Sequence, residues 1–294
     1  VASYNLMDSF SAYAFFSPAR TPTVVGAVLA LLTGLCIFGG VRRISAITSG
    51  IVPVMAAIYI ALGLFITVKN IGQVPYMLSM IVSQAFDPKA MFAGIGASCI
   101  MQGIKRGLYS NEAGMGSTPH AHAMAKVKHP HEQGVVAMTG VFIDTFVVLT
   151  MTALVVISTL YAGNGILSAG AAEGVSKANM AQLAFSSVFG EGLGSIFVAV
   201  CLLFFAFSTI LSWNFFGKLN VAYLFGKRAT AVYSVLGVVF IFLGSCLSND
   251  LVWSLSDLFN QLMVLPNALA LLALSSLVVK AARRRTTKTP ASHH

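Results

Sequence analysis

The 294-residue chain is 57% hydrophobic and 9% charged, with a mean hydropathy of +0.83 and a formal net charge of +9. A soluble domain carries about 25% charged residues, so this composition excludes a soluble globular protein and indicates a polytopic membrane protein. The basic excess raises nucleic acid as a partner, but the cations sit beside apolar runs, as a bilayer requires, and that reading is excluded.

In chain order, residues 1–16 read as the end of a helix, and with no initiator Met the chain reads as a piece of a longer protein. Pro18 and Pro22 punctuate the next loop. Spans are expected at 23–40, closed by Arg42 and Arg43, and at 51–68, with Pro53 in the first turn, where a missing N–H costs least. Residues 75–86 are too short to span. Leu78, Ile81, Val82, Ala85 and Phe86 share one helical face, which predicts a helix lying in the membrane interface.

The stretch 91–110 is different. It opens apolar and glycine-punctuated (Gly94, Gly96, Gly103, Gly107), turns polar at Gln102, Lys105 and Arg106, and runs through 110–117 with hardly a hydrophobic residue. A membrane helix needs ~20 apolar residues, and roughly half that number precede the polar break. The pattern predicts a discontinuous span, broken among its glycines, whose loose backbone lines a cavity. Open amides and carbonyls there suit a small zwitterion and an ion.

Residues 134–160 form an apolar run interrupted by one charge, Asp144. A Gly/Ala/Ser-rich loop is expected over 162–193, then spans at 194–216, 230–247 and 250–279, the last containing Asp257, Asn260, Gln261, Pro266 and Asn267. The count is seven, followed by a tail over 281–294. Assigning alternate loops to opposite sides gathers Arg42, Arg43, Lys105, Arg106, Lys126, Lys128, Lys218, Lys227, Arg228, Lys280, Arg283, Arg284, Arg285 and Lys288 together, 14 of the 18 basic residues. Arg20, Lys69, Lys89 and Lys177 fall opposite. The positive-inside rule then predicts a multi-pass protein of the cell (inner) membrane with a cytoplasmic C-terminus.

Few residues carry chemistry. Thr209, Ser212 and Trp213 share a stripe in the 194–216 span, with Ser208 beside Ser212. Two adjacent hydroxyls supply hard oxygen ligands for sodium and an indole walls a small pocket; close helix packing accounts for the same residues equally well. Asp144 is costly in lipid, ~2.5–3.5 kcal/mol on insertion scales, and requires a partner. A coupling role and a structural pairing both fit it. Asp257 lies nearer a helix end, where a structural reading is favoured. His120, His122, His129 and His131 match no closed zinc pattern, so no transition metal is expected. Cys36, Cys99, Cys201 and Cys246 are far apart in apolar stretches and read as small core residues. No nucleotide fingerprint, nucleophile elbow or HExxH occurs, so neither an enzyme nor a cofactor is expected.

Several segments, in order, resemble the alanine/glycine:cation symporter family of the amino acid–polyamine–organocation superfamily. These are GGVRRISAITSGIVPVMA (39–56), GIKRGLYSNEAGMGSTPHA (103–121), VFIDT (141–145) and FAFSTILSW (205–213). The resemblance implies an all-α, leucine-transporter-like fold of two inverted five-helix repeats. Residues 1–90 would end the first repeat and 91–280 would form the second, with the earlier helices of the same protein absent from this chain. It implies sodium symport of a small neutral amino acid by alternating access. Proton coupling, or a channel or pore subunit, are the alternatives. It also implies sodium ligation by Ser208 and Thr209 and a substrate pocket lined by Trp213 and by the broken helix about 96–103, where Gly96, Cys99, Ile100, Gln102 and Gly103 are the candidates. His120 and His122 depart from the small residues common after the signature.

Overall fold

The computed structural model describes residues 1–11, 13–39, 41–85, 95–112, 114–162, 165–168, 175 and 179–286. All regular elements among them are helical: α1 (Ala2–Asp8), α2 (Thr21–Phe38), α3 (Val41–Lys69), α4 (Val74–Ala85), α5 (Ile95–Asn111), α6 (Thr118–His122), α7 (Pro130–Tyr161), α8 (Met180–Phe189), α9 (Glu191–Phe225), α10 (Ala229–Cys246) and α11 (Asn249–Thr286). Six stretches are long and apolar enough to cross a membrane: α2, Thr48–Lys69 of α3, α7, α9, α10 and Asn249–Ala281 of α11. These coincide with six of the seven expected spans, and the chain is a multi-pass membrane protein. The seventh, 91–110, begins outside the described residues.

Four expectations need correction. Helix α3 begins at Val41, so Arg42 and Arg43 open it and Pro53 is internal. Helix α5 runs unbroken through Gly103 and Gly107, so the described part of this span has no break among its glycines. The expected loop 162–193 contains α8, whose Phe185 is fully buried. Helices α9 and α11 overrun their expected spans, at 35 and 38 residues.

The chain forms two compact units, Val1–Ala97 with Val148–Ser254, and Ser98–Val147 with Leu255–His294. In the first, Tyr59 of α3 sits among Phe185, Phe197 and Phe205 with ring centroids 5.6–6.5 Å away. Its hydroxyl meets Thr152 Oγ1 of α7 at 3.0 Å, so the buried phenol is satisfied. Helices cannot gain from the hydrophobic effect within lipid and associate instead by close packing of small residues. Accordingly α2 meets α10 at Gly34 against Val238, and α1 meets α10 at Ser3 against Gly244. Lys218 Nζ of α9 donates to Ile37 O at 3.2 Å, placing a cation on the C-terminal carbonyls of α2, where the helix dipole favours it.

The second unit comprises most of α5, α6, the first part of α7 and α11 from Leu255 onward. Polar contacts hold it together, and they are concentrated in the segment that carries the strongest sequence signature.

Candidate functional site

Helix α5 presents polar groups to two neighbours. Arg106 and Tyr109, three residues apart and therefore on one face, address α11. The Arg106 guanidinium binds Asp257 with both prongs, Nη1–Oδ1 at 3.1 Å and Nη2–Oδ2 at 3.3 Å. The Tyr109 hydroxyl is hydrogen-bonded to Ser256. Ser110 and Asn111 address α7: Ser110 Oγ donates to Asp144 Oδ2 at 2.8 Å, and Asn111 Nδ2 to Thr145 Oγ1 at 3.4 Å. Asp144 and Thr145 open a π-helical stretch, Ile143–Leu149. Such widened turns recur at functional sites.

Beyond α5 the backbone leaves helical geometry. Glu112, Gly114 and Gly116 take φ of +57°, +78° and +79°. A side-chain-bearing residue pays for this left-handed conformation, ~1–2 kcal/mol. Glu112 is held there by its carboxylate, which accepts from the Ser117 hydroxyl. Gly114 O accepts from Asn267 Nδ2 at 2.9 Å. Gly116 approaches the same side chain so closely that a Cβ would lie 2.9 Å from Asn267 Oδ1. Met115 and Ser117 are buried. Asn267 directly follows Pro266, where α11 lacks one backbone N–H.

Asp257 and Asn267 are ten residues apart on α11, about 15 Å at the helical rise. The contacts that Arg106 and Gly114 make with α11 therefore lie well apart within the stretch Asn249–Ala281. No discontinuity occurs between Gly96 and Gly103; the described backbone leaves helix at Glu112, Gly114 and Gly116 instead. Arg106, grouped above with the loop cations, lies within α5 and is paired with Asp257.

Asp144 has the partner its place in an apolar run demanded, Ser110. Asp257 has Arg106. Ile100 is exposed on its unit, and Gly103 has open space where a Cβ would stand. Gly96 is helical; the side chains of Cys99 and Gln102 lie outside the described residues. Ile100 and Gly103 belong to the second unit, whereas Ser208, Thr209 and Trp213 belong to α9 in the first. There Ser208 is half-buried and its Oγ donates to Phe205 O at 3.0 Å. Thr209 is exposed on the unit, and the half-buried Trp213 meets Phe216 edge-on at 6.2 Å. The His120 ring nitrogen Nδ1 donates to Ser117 O, and His122 Nδ1 accepts from Gln133 Nε2, each at 2.8 Å.

Two buried amides escaped the sequence reading. Asn214 stands on α9 against Gly237 of α10, and Gln182 lies on α8. Each has a side-chain oxygen without a hydrogen-bond partner among the described residues. The signal available for both was an amide inside an apolar run.

The model of the sodium:alanine symporter family matches residues 1–293. The sodium/alanine symporter AgcS of Methanococcus maripaludis is 40% identical over 88% of this chain and 55% of its own length. A sodium/proton-dependent alanine carrier protein of Bacillus sp. strain PS3 is 36% identical over 93% of this chain and 63% of its own. A probable sodium/glutamine symporter, GlnT of Bacillus subtilis, is 36% identical over 89% and 53%. The chain thus spans little more than half the length of most of the curated relatives it matches, and with a family match along nearly all of its residues it belongs to the sodium:alanine symporter family.

Proposed function

We propose that this chain is part of a secondary transporter that carries a small neutral amino acid of the alanine/glycine class inward with sodium, by alternating access. The observation that carries the reading is the signature segment. Its backbone departs from helix at Glu112, Gly114 and Gly116, beside a helix long and apolar enough to cross a membrane, and is held by side chains, the arrangement in which loose backbone serves a binding cavity. Family membership supports alanine and sodium as the pair. An inverted-repeat arrangement with 1–90 and 91–280 in separate repeats, and a cytoplasmic C-terminus, accompany the proposal. So do substrate contacts from Gly96, Cys99, Ile100, Gln102, Gly103 and Trp213. Proton coupling is the second reading, because the PS3 relative is named sodium/proton-dependent.

Sodium ligation is assigned to Ser208 and Thr209. Ser208 gives its proton to Phe205 O, and that leaves oxygen lone pairs free for a cation. Losing one oxygen ligand costs roughly 1–3 kcal/mol, comparable to an unmet buried polar partner. At tenfold per 1.4 kcal/mol this raises half-saturating sodium about 5- to 150-fold. The test is alanine uptake against a sodium titration for Ser208→Ala and Thr209→Val, changes that keep most of the volume. Wild-type sodium dependence in both variants reduces the pair to packing residues. Uptake without saturation or ion coupling favours a pore.

A further inference from the structure

Gln182 of α8 is 1% exposed, and its amide is held one way round. Nε2 donates to Ser9 O at 3.0 Å and to Ser195 O at 3.4 Å. Turning the amide over would set Oε1 against both carbonyls, so the network fixes the assignment. Oε1 is thereby aimed away from them, buried, and without a hydrogen-bond partner among the described residues. A sealed acceptor left unmet is costly.

Two hydroxyl oxygens belong to the same joint of α8 and α9. Ser186, one turn further along α8, shares a hydrogen bond with Ser195 of α9, Oγ to Oγ at 2.9 Å. That bond consumes one proton and one lone pair and leaves lone pairs on both hydroxyls. Both serines are half-buried, whereas Gln182 is sealed. The close approach of α8 to α9 makes it possible: at Gly194 a Cβ would stand 2.5 Å from Ser186 N and Cα. Ser9 is fully buried and spends its own hydroxyl on Leu6 O at 2.6 Å.

The set is one amide carbonyl oxygen and two hydroxyl oxygens, all hard and all neutral. Divalent calcium and magnesium look for carboxylates, and transition metals for imidazole or thiolate. A monovalent hard cation remains. We propose that Gln182 Oε1, Ser186 Oγ and Ser195 Oγ bind a sodium ion at the joint of α8 and α9. This site is separate from the Ser208–Thr209 pair: Ser195 and Ser208 are 13 residues apart on α9, about 20 Å along its axis. The ion clamps α8 to α9 and, through the Gln182 bond to Ser9, to the end of α1.

The experiment is thermal unfolding of the detergent-purified protein titrated with sodium chloride, ionic strength held with choline chloride and potassium chloride as a parallel arm. It is run in a Ser208→Ala/Thr209→Val background, which silences the other proposed site. Gln182→Leu also cuts two backbone ties and risks the fold, so Ser186→Ala and Ser195→Ala are the primary variants. The background protein is expected to keep a sodium-specific rise in Tm. Each serine variant is expected to raise the half-saturating sodium at least fivefold, about 1 kcal/mol at tenfold per 1.4. The proposal is overturned if potassium stabilises equally, if the background protein shows no sodium effect, or if both serine variants titrate like their parent. Failure of the Ser208–Thr209 assignment appears instead in the uptake titration, so the two are told apart.

Discussion

Replacing Gly194 by Ala is the sharpest test of the helix packing. The new Cβ would lie 2.5 Å from Ser186 N and Cα and 2.7 Å from Phe185 C, all backbone atoms that cannot swing aside. Ordinary contact is roughly 1 Å longer, so α8 must move bodily from α9. Overpacking of this kind costs ~1–3 kcal/mol. The same movement strains the Ser186–Ser195 bond, ~1 kcal/mol more. A total of ~2–4 kcal/mol lowers Tm by roughly 4–16 °C at ~2–4 °C per kcal/mol. Gly103→Ala is the control. Nothing stands near its Cβ and the position is helical, so the lower backbone entropy of Ala leaves stability unchanged or raises it by ~0.5–1 kcal/mol. Fluorescence-monitored unfolding of the two purified variants decides the matter. A Gly194→Ala protein melting within 1 °C of wild type, against an expected drop of ~4 °C or more, refutes the α8–α9 contact and the node built on it.

Asp144→Asn keeps an acceptor for Ser110 and is expected to fold with wild-type Tm while altering the ion dependence or rate of uptake; unchanged transport kinetics make Asp144 a structural residue. Asp257→Asn and Arg106→Gln are each expected to lower Tm by a few degrees. The pair is 27% and 39% exposed, so a double-mutant cycle should give a coupling energy of only ~1 kcal/mol. A coupling energy indistinguishable from zero makes the bidentate geometry incidental.

What the sequence revealed follows the physics of its signals. Apolar runs such as 230–247 are set by bilayer thickness and were legible to within a residue, as α10 shows. Helix α8 was not, because MAQLAFSSVF lies beyond Gly/Ala/Ser-rich residues and its ten residues are too few to span. Its reason for being helical is Phe185, buried among Tyr59, Phe189 and Phe197, and that is a tertiary fact. The partners of Asp144 and Asp257 were equally invisible. The cost of a charge in lipid announces that a partner exists, but Ser110 and Arg106 are 34 and 151 residues away.

The displaced helix break has the most instructive cause. Glycine is the weakest helix former after proline in water, where an opened backbone group finds a solvent partner. Gly103 and Gly107 nonetheless carry α5 onward intact despite their low propensity, and a backbone group opened within lipid would find no partner. A break becomes affordable only where side chains replace the lost backbone bonds. Glu112 and Gly114 meet that condition: Asn267 takes Gly114 O, and Ser117 holds the Glu112 carboxylate. Asn267 stands next to Pro266, where α11 runs on without one backbone N–H. Two imperfect backbones thus meet at one amide side chain. In a membrane protein the site of a discontinuity is therefore read from the polar residues that can satisfy it, and the glycines upstream report close packing or open space instead.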